Sequence, residues 1–306
     1  MIRKSSRSTE AFTIVELLIV IVVIGILAAI TIVSFNGVSA KARIAGLQST
    51  LESSVKTIEN ARTLAGTITY PTTAPSGIDS SVSYTSNVAL GGYCATKTDT
   101  GLTYMVTLSN PTPHAGPSSA VTGCSVTNMI ANPSFEVNNS TWGTGSRATL
   151  TTSTAYGAVA GTSAGLLTKT STTNGEGHMA ILLSTTVGKR YSVSFSVRSG
   201  SAAPVVNAGV VNYNQGWSVA DNAFIAITPT ATFTRYVLNW TAQDTGSLLY
   251  IENTNTTLAS SSIVVDAVMA TEGENAGSYV DPDYKPGSGW SWTGTAGVST
   301  STGPAF

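Results

Sequence analysis

Hydrophobic and polar positions divide this chain into a helical opening and a strand-rich remainder. From Leu17 to Val33 the run is apolar except for Thr31, with Gly25 its one flexible point. At about 1.5 Å per residue such a helix comes close to the thickness of a bilayer core. The pattern therefore predicts a membrane-competent helix with one carboxylate, Glu16, at its start, and basic Arg3, Lys4 and Arg7 just before it. From 34 to 66 the period changes: Ile44, Leu47, Leu51, Val55 and Ile58 recur at three- and four-residue steps, and Lys41, Arg43, Glu52, Lys56 and Glu59 fill the other side. That is an amphipathic helix continuing the first. Asn36-Gly37 and Gly46 interrupt it, and glycine's low helix propensity predicts a bend or melted turn near Gly37.

After Gly66 the pattern is strands and turns. Pro71, Pro75 and Ser76-Gly77 punctuate it, and Asp99-Thr100-Gly101 joins two short β-prone runs as a hairpin. A second strand-rich region begins at Asn128. Arg190 to Arg198 alternates, with Tyr191, Val193, Phe195 and Val197 on one face and serines on the other, as a half-buried strand does. Phe233 to Thr241, Leu248 to Glu252 and Ile263 to Ala270 follow, which predicts a two-sheet sandwich. In this pattern Trp240 falls with Leu238 and Tyr236 in the core.

Composition narrows the function classes. The 306 residues carry Lys+Arg 15 against Asp+Glu 16, a net charge of −1, and only 10% charged residues, so no nucleic-acid partner is expected. An enzyme acting on glycans would need two carboxylates at a sugar-sized gap or a nucleophile with its base. The acids Asp221, Asp244, Glu252, Glu272 and Glu274 form no such set. Cys94 and Cys124 are the two cysteines and lie beyond the apolar helix; placed in an oxidising compartment, they pair. A metal-binding thiol pair would need clustered histidines or a second cysteine pair, and His114 stands alone in its Pro-rich loop.

Sugar recognition needs flat rings to stack on pyranose C–H faces, with amides and hydroxyls beside them. Asn212-Tyr213-Asn214-Gln215-Gly216-Trp217 puts both kinds side by side, which makes Asn212, Tyr213 and Trp217 the leading sugar-binding candidates, with Trp142 and Arg198 behind them.

Two resemblances organise these readings. An ordinary signal peptide is cut after its apolar region, whereas here the small residue, Ala11, precedes the run. The basic leader, Ala11, Phe12 and Glu16 together resemble the class III leader of type IV pilins and pseudopilins, although that family usually has Gly where Ala11 stands. The resemblance implies cleavage between Ala11 and Phe12, N-methylation of Phe12, and pairing of Glu16 with the amino end of a neighbouring subunit during assembly. It also implies a pilin head closed by the Cys94–Cys124 bridge. The segment Asn128-Met129-Ile130-Ala131-Asn132-Pro133-Ser134-Phe135-Glu136 and the strand bearing Asp266 resemble carbohydrate-binding modules of the galactose-binding-like jelly-roll type. This second resemblance implies a structural calcium ion held by Glu136 and Asp266, oxygen ligands from distant segments that suit that ion.

The expected fold class is α+β: a long N-terminal helix with a small antiparallel pilin head, then an all-β jelly-roll sandwich. The expected divisions are 1–11 leader, 12–66 helix, 67–127 head, 128–280 jelly-roll module and 281–306 a Gly/Trp tail packed on the sandwich. The expected function is a non-enzymatic pilus subunit that polymerises through its helix and displays a carbohydrate-binding module for adhesion. Its partners would be other pilin subunits, prepilin peptidase with the inner-membrane assembly machinery, and glycans. It would reside in the inner membrane before assembly and in a surface pilus afterwards. The alternatives are a pseudopilin of a secretion or DNA-uptake machine and a membrane-anchored surface binding protein.

Overall fold

The computed structural model describes residues 14–87, 92–108, 110–116, 124–201, 204–213, 223–274, 279–284, 286 and 289–304; within these, the side chains of Glu16, Ala29, residues 31–36 and Pro304 are not described. The expectations placed on Ala11, Phe12, Trp217 and the Glu16 side chain lie outside the described residues. By its contacts the chain divides into two units, Met1–Leu47 and Gln48–Phe306.

One helix, α1 (Ile14–Leu64, 51 residues), begins in the first unit and ends in the second. It is continuous through Gly37, so the melted turn expected there does not form. It stops at Gly66, whose φ of 63° follows a closing turn made by the Ala65 N–H on Ala61 O at 3.1 Å and the Gly66 N–H on Thr63 O at 3.1 Å. From Ile14 to Ile30 the described large apolar side chains of the helix are exposed, from 48% at Val23 to 84% at Ile14. Among the described residues no helix is long and apolar enough to cross a membrane, so the membrane-spanning expectation and the inner-membrane placement are corrected. The unbroken apolar run, Leu17 to Ile30, is about 14 residues, roughly 21 Å of helix against about 30 Å of bilayer core.

In the second unit a four-stranded antiparallel sheet has the order β1 (Ser83–Asn87), β2 (Gly92–Asp99), β3 (Leu102–Thr107), β4 (His114–Ala115). β2 and β3 join as a hairpin, with Asp99 opposite Leu102 and positive φ at Thr100 and Gly101, the two-residue turn that matches strand twist. The amphipathic face of α1 packs here: Leu51 and Ile58 are fully buried with Tyr70, Val82, Tyr93, Ala95 and Val106. Cys94 and Cys124 form the expected disulfide.

A short strand, β5 (Ser125–Asn128), leads into the sandwich. Its strands are β6 (Gly143–Thr144), β7 (Ala148–Ser153), β8 (Ala164–Lys169), β9 (His178–Ser184), β10 (Arg190–Ser199), β11 (Val206–Asn212), β12 (Ala223–Ile227), β13 (Thr234–Thr241), β14 (Gly246–Asn253) and β15 (Ser262–Glu272). They form two five-stranded sheets, β13-β10-β15-β8-β7 and β12-β11-β14-β9-β6. Between them Tyr191, Val193, Phe195 and Val197 from β10 meet Val206, Ala208 and Val210 from β11, Leu249 and Ile251 from β14, and Met179, Ile181 and Leu183 from β9. Trp240 is in that core, as its alternation predicts, stacked on Tyr191 at 5.5 Å.

The tail forms β16 (Ser291–Trp292) and β17 (Ser301–Pro304), and β17 pairs with β5. Tyr279 and Trp290 bury against Ala267 and Met269 of β15, together with Met105 and the disulfide. That packing lies on the outer side of the β10-containing sheet. There Ser192, Ser194 and Ser196, expected on a solvated face, are at most 2% exposed.

The α+β class is corrected. One helix of 51 residues stands against seventeen described strands in four sheets, and the chain is mainly β. The apolar run dominates a reading by hydropathy, but most residues belong to Ser/Thr-rich strands whose hydroxyls keep mean hydropathy low while their alternation builds sheets. Nothing among the described residues marks the four-stranded sheet as a pilin head.

Candidate functional site

Covering one outer face of the sandwich leaves the other, on the β12-β11-β14-β9-β6 sheet, as the candidate surface. Because Val206, Ala208, Val210, Leu249, Ile251, Met179 and Ile181 face the core, the alternate residues of the same strands face outward. Register sets them in rows across the sheet. Asn207, Glu252 and His178 form one row; Phe224, Gly209, Tyr250, Ala180 and Gly143 the next; Val211, Leu248 and Leu182 the third.

Within these rows Tyr250 at 7%, Ala180 at 9% and Val211 at 2% exposure form a small buried cluster. A Cβ at Gly209 would lie 2.7 Å from the Tyr250 Oη, so the tyrosine lies across the glycine and nothing larger fits beneath it. Phe224 at 51%, Leu182 at 49% and Tyr213 at 54% exposure are the exposed apolar side chains on these rows and their strand ends. Tyr213 follows β11, with its Cβ 3.1 Å from where a Gly246 side chain would begin.

The polar row lies at one end of these strands. Glu252 Oε1 is buried and has no hydrogen-bond partner among the described residues. Burial pushes the His178 imidazole below its ordinary pKa, against the opposing pull of Glu252 and Glu176. Burial likewise lowers Lys169, opposed by Glu252, and its Nζ donates to Thr173 O at 3.2 Å. The exposed apolar groups of this face are thus Phe224, Leu182 and Tyr213, and rings of this kind can stack on the C–H face of a hydroxyl-rich ring.

Of the sequence-derived candidates among the described residues, Tyr213 alone reaches this surface. Asn212 has the opposite parity and is 1% exposed, its Nδ2 donating to Gln243 Oε1 at 3.4 Å. Trp142 is in the core beside Phe135, ring centroids 5.4 Å apart, and its Nε1 donates to Asn132 O at 3.2 Å. Arg198 belongs to the other sheet, where its Nη1 donates to Tyr156 O at 2.6 Å and its guanidinium lies over the Tyr156 and Phe233 rings. Phe224, Tyr250, Glu252, His178 and Asn207 were missed. β14 reads Ser247-Leu248-Leu249-Tyr250-Ile251-Glu252, apolar on both parities, and only Glu252 hints which side faces out.

The sandwich is similar to carbohydrate-binding modules. No protein-family model and no curated protein matches the chain. Among solved structures it is similar to the CBM22-1 xylan-binding domain of Paenibacillus barcinonensis Xyn10C, at 19% identity over 47% of this chain and 94% of that one, TM-score 0.39. It is also similar to TmCBM61 in complex with beta-1,4-galactotriose, at 14% identity over 47% and 98%, TM-score 0.36. A CBM4 domain matches at 15% identity over 47% and 99%, TM-score 0.36. At such low identity and overlap the ligands of these domains do not transfer to this chain.

Glu136 and Asp266 do come together, on the 159–163 loop. Asp266 Oδ2 accepts the N–H groups of Val159 at 2.6 Å and Ala160 at 3.0 Å, and Oδ1 accepts that of Ala267 at 2.7 Å. Glu136 Oε1 accepts the N–H groups of Thr162 at 2.9 Å and Ser163 at 2.7 Å, and Oε2 the Thr162 hydroxyl at 3.1 Å. Desolvation of fully buried Asp266 raises its pKa to about 7 despite those donors, and Glu136 adds to the rise. Two neighbouring carboxylates fit calcium as its anionic ligands. No group of three or more His, Cys, Asp or Glu suited to a metal occurs among the described residues, so the other ligands would be carbonyl or water oxygens.

Proposed function

We propose that the protein is a pilin-like structural subunit that associates with its own kind through the N-terminal helix and presents the sandwich for carbohydrate binding. The observation that carries the binding reading is the exposed apolar side chains Phe224, Leu182 and Tyr213 on this sheet's outer face, with Asn207, Glu252 and His178 in a polar row across the same strands. The tail covers the other outer face around Ala267 and Met269, which supports placing the sugar here. The assembly reading is supported by the leader resemblance and by the exposed apolar side chains from Ile14 to Ile30, which in water gain about 25 cal/mol for every Å² that copies of the helix cover. Other subunits, a leader peptidase and an assembly machine are the partners this reading implies. The disulfide suits an oxidising compartment.

Glycan-array screening of the whole chain tests the binding half. Phe224→Ala should weaken any bound glycan about three- to tenfold, the worth of one exposed ring contact, without loss of folding, because the ring is half exposed. An array with no bound glycan removes this half. Electron microscopy of material sheared from cells that make the chain tests the other: Glu16→Val should leave the subunit folded and abolish filaments, and normal filaments from that variant would discard the assembly reading.

A further inference from the structure

Among the described residues Arg62 stands by Glu59, Lys97 by Asp79, Lys189 by Glu272 and Arg190 by Glu274. Arg198 has no carboxylate partner among them, yet it is held in one place. Its Nη1 donates to Tyr156 O at 2.6 Å and its Nε to Ser199 O at 3.4 Å. The guanidinium carbon lies 5.8 Å from the Tyr156 ring centroid and 5.7 Å from that of Phe233, within reach of cation–π attraction. A tight turn presents the Tyr156 carbonyl: the Gly157 N–H donates to Thr154 O at 3.4 Å, and Gly157 takes a φ of 71°. A guanidinium has about five N–H groups. The two on Nη2 are left without a partner among the described residues.

Register puts this group at one end of its sheet. Arg198 is opposite Val264 of β15, and Val264 opposite Leu166 of β8, on the face turned away from the core. The tail buries that face further along β15, at Ala267 and Met269. Arg198, Tyr156, Phe233 and Leu166 each keep part of their surface exposed. Glu136 and Asp266, which hold the loop after Tyr156, are occupied by backbone N–H groups and do not compete for the guanidinium.

We propose that Arg198, Tyr156 and Phe233 form a site for an acidic sugar. The unused N–H groups take its carboxylate, whose two oxygens match the planar fork, and the exposed ring surface lies against its C–H groups. A side chain already fixed by two carbonyls and two rings has little freedom left to lose on binding. The site is separate from the Phe224 surface, and each stands without the other.

The test titrates the whole chain with trigalacturonate and with its methyl ester, which keeps the sugar rings and loses the charges. The expected result is an affinity for the acid at least about tenfold above that for the ester, the worth of one charge-assisted hydrogen bond, and a fall with added salt. Arg198→Gln removes charge and fork, Arg198→Lys the fork alone, and each should bring the acid down to the affinity of the ester. Arg198 also ties the Tyr156 turn to β10, so urea unfolding of both variants accompanies the titration. Phe233→Leu leaves every hydrogen bond of Arg198 in place and should weaken acid and ester alike, about threefold. Equal affinity for acid and ester, no binding of the acid, or an unchanged affinity in folded Arg198→Gln overturns the proposal. So does a triglutamate peptide bound as tightly as the sugar, which would assign the site to acidic peptides. Neutral glycans whose binding Phe224→Ala weakens would, in any of these cases, leave the carbohydrate reading of the other face standing.

Discussion

Adding one methyl group at Gly161 should destabilise the sandwich by about 2–3 kcal/mol. Gly161 has φ +74°, and a Cβ built on it falls 2.3 Å from Glu136 Cδ, 2.4 Å from Oε1 and 2.7 Å from Oε2. Left-handed backbone at an L-residue costs about 1–2 kcal/mol. The clash falls on the far end of a flexible side chain, so Glu136 can swing away, but it then gives up the N–H groups of Thr162 and Ser163 and the Thr162 hydroxyl. The loop is partly exposed and water replaces some of these bonds, which leaves about 1 kcal/mol net for the set. For a sandwich of roughly 150 residues the total corresponds to about 5–10 °C in Tm. Urea unfolding of the wild type, Gly161→Ala, Glu136→Ala and the double variant measures it. With Glu136 already truncated, Gly161→Ala should cost only its backbone part, so the double variant should be more stable than the sum of the singles by about 1 kcal/mol. A Gly161→Ala chain within about 0.5 kcal/mol of wild type, the noise of a surface change, or strict additivity in the cycle would refute the contact as described.

Acid should lower stability through His114, which is buried with Nδ1 2.8 Å from Thr112 O and with Nε2 unpartnered among the described residues. Burial lowers its pKa in the folded chain, so its contribution is present above the ordinary imidazole value of about 6.5 and is lost as pH falls below it, where the unfolded chain takes up a proton the folded one resists. Tm followed from pH 7 to 5 should fall, and His114→Gln should flatten the slope. Reducing the Cys94–Cys124 bridge, which closes a separation of 30 residues, should cost about 3–4 kcal/mol, read as a lower urea midpoint in reductant and equally in Cys94→Ser. Calcium at Glu136 and Asp266 should raise Tm and a chelator should reverse the rise; a Tm indifferent to both removes the ion from that site.

Sequence alone determined the elements whose signal is local. The amphipathic face of α1 was legible because Leu51, Val55 and Ile58 repeat at the helical period, and Leu51 and Ile58 are buried. The Asp99–Leu102 hairpin was legible because a turn with two positive φ values needs a residue such as Gly101. The inward set of β10 followed from alternation, and the disulfide from there being two cysteines. The tertiary structure decided which outer face the tail covers. The serines of β10 read as solvated, yet the tail and the disulfide region cover that side of the sheet, and no periodicity within β10 encodes what a segment some eighty residues later will do. Asn212 and Tyr213 looked equivalent in a line of text, whereas strand parity buries the first and exposes the second. The row of Asn207, Glu252 and His178 comes from three strands that are neighbours in the sheet but not consecutive in sequence. The row exists because long-range pairing places strands far apart in sequence side by side, and pairing is a property of the whole fold, beyond the reach of any local window of residues.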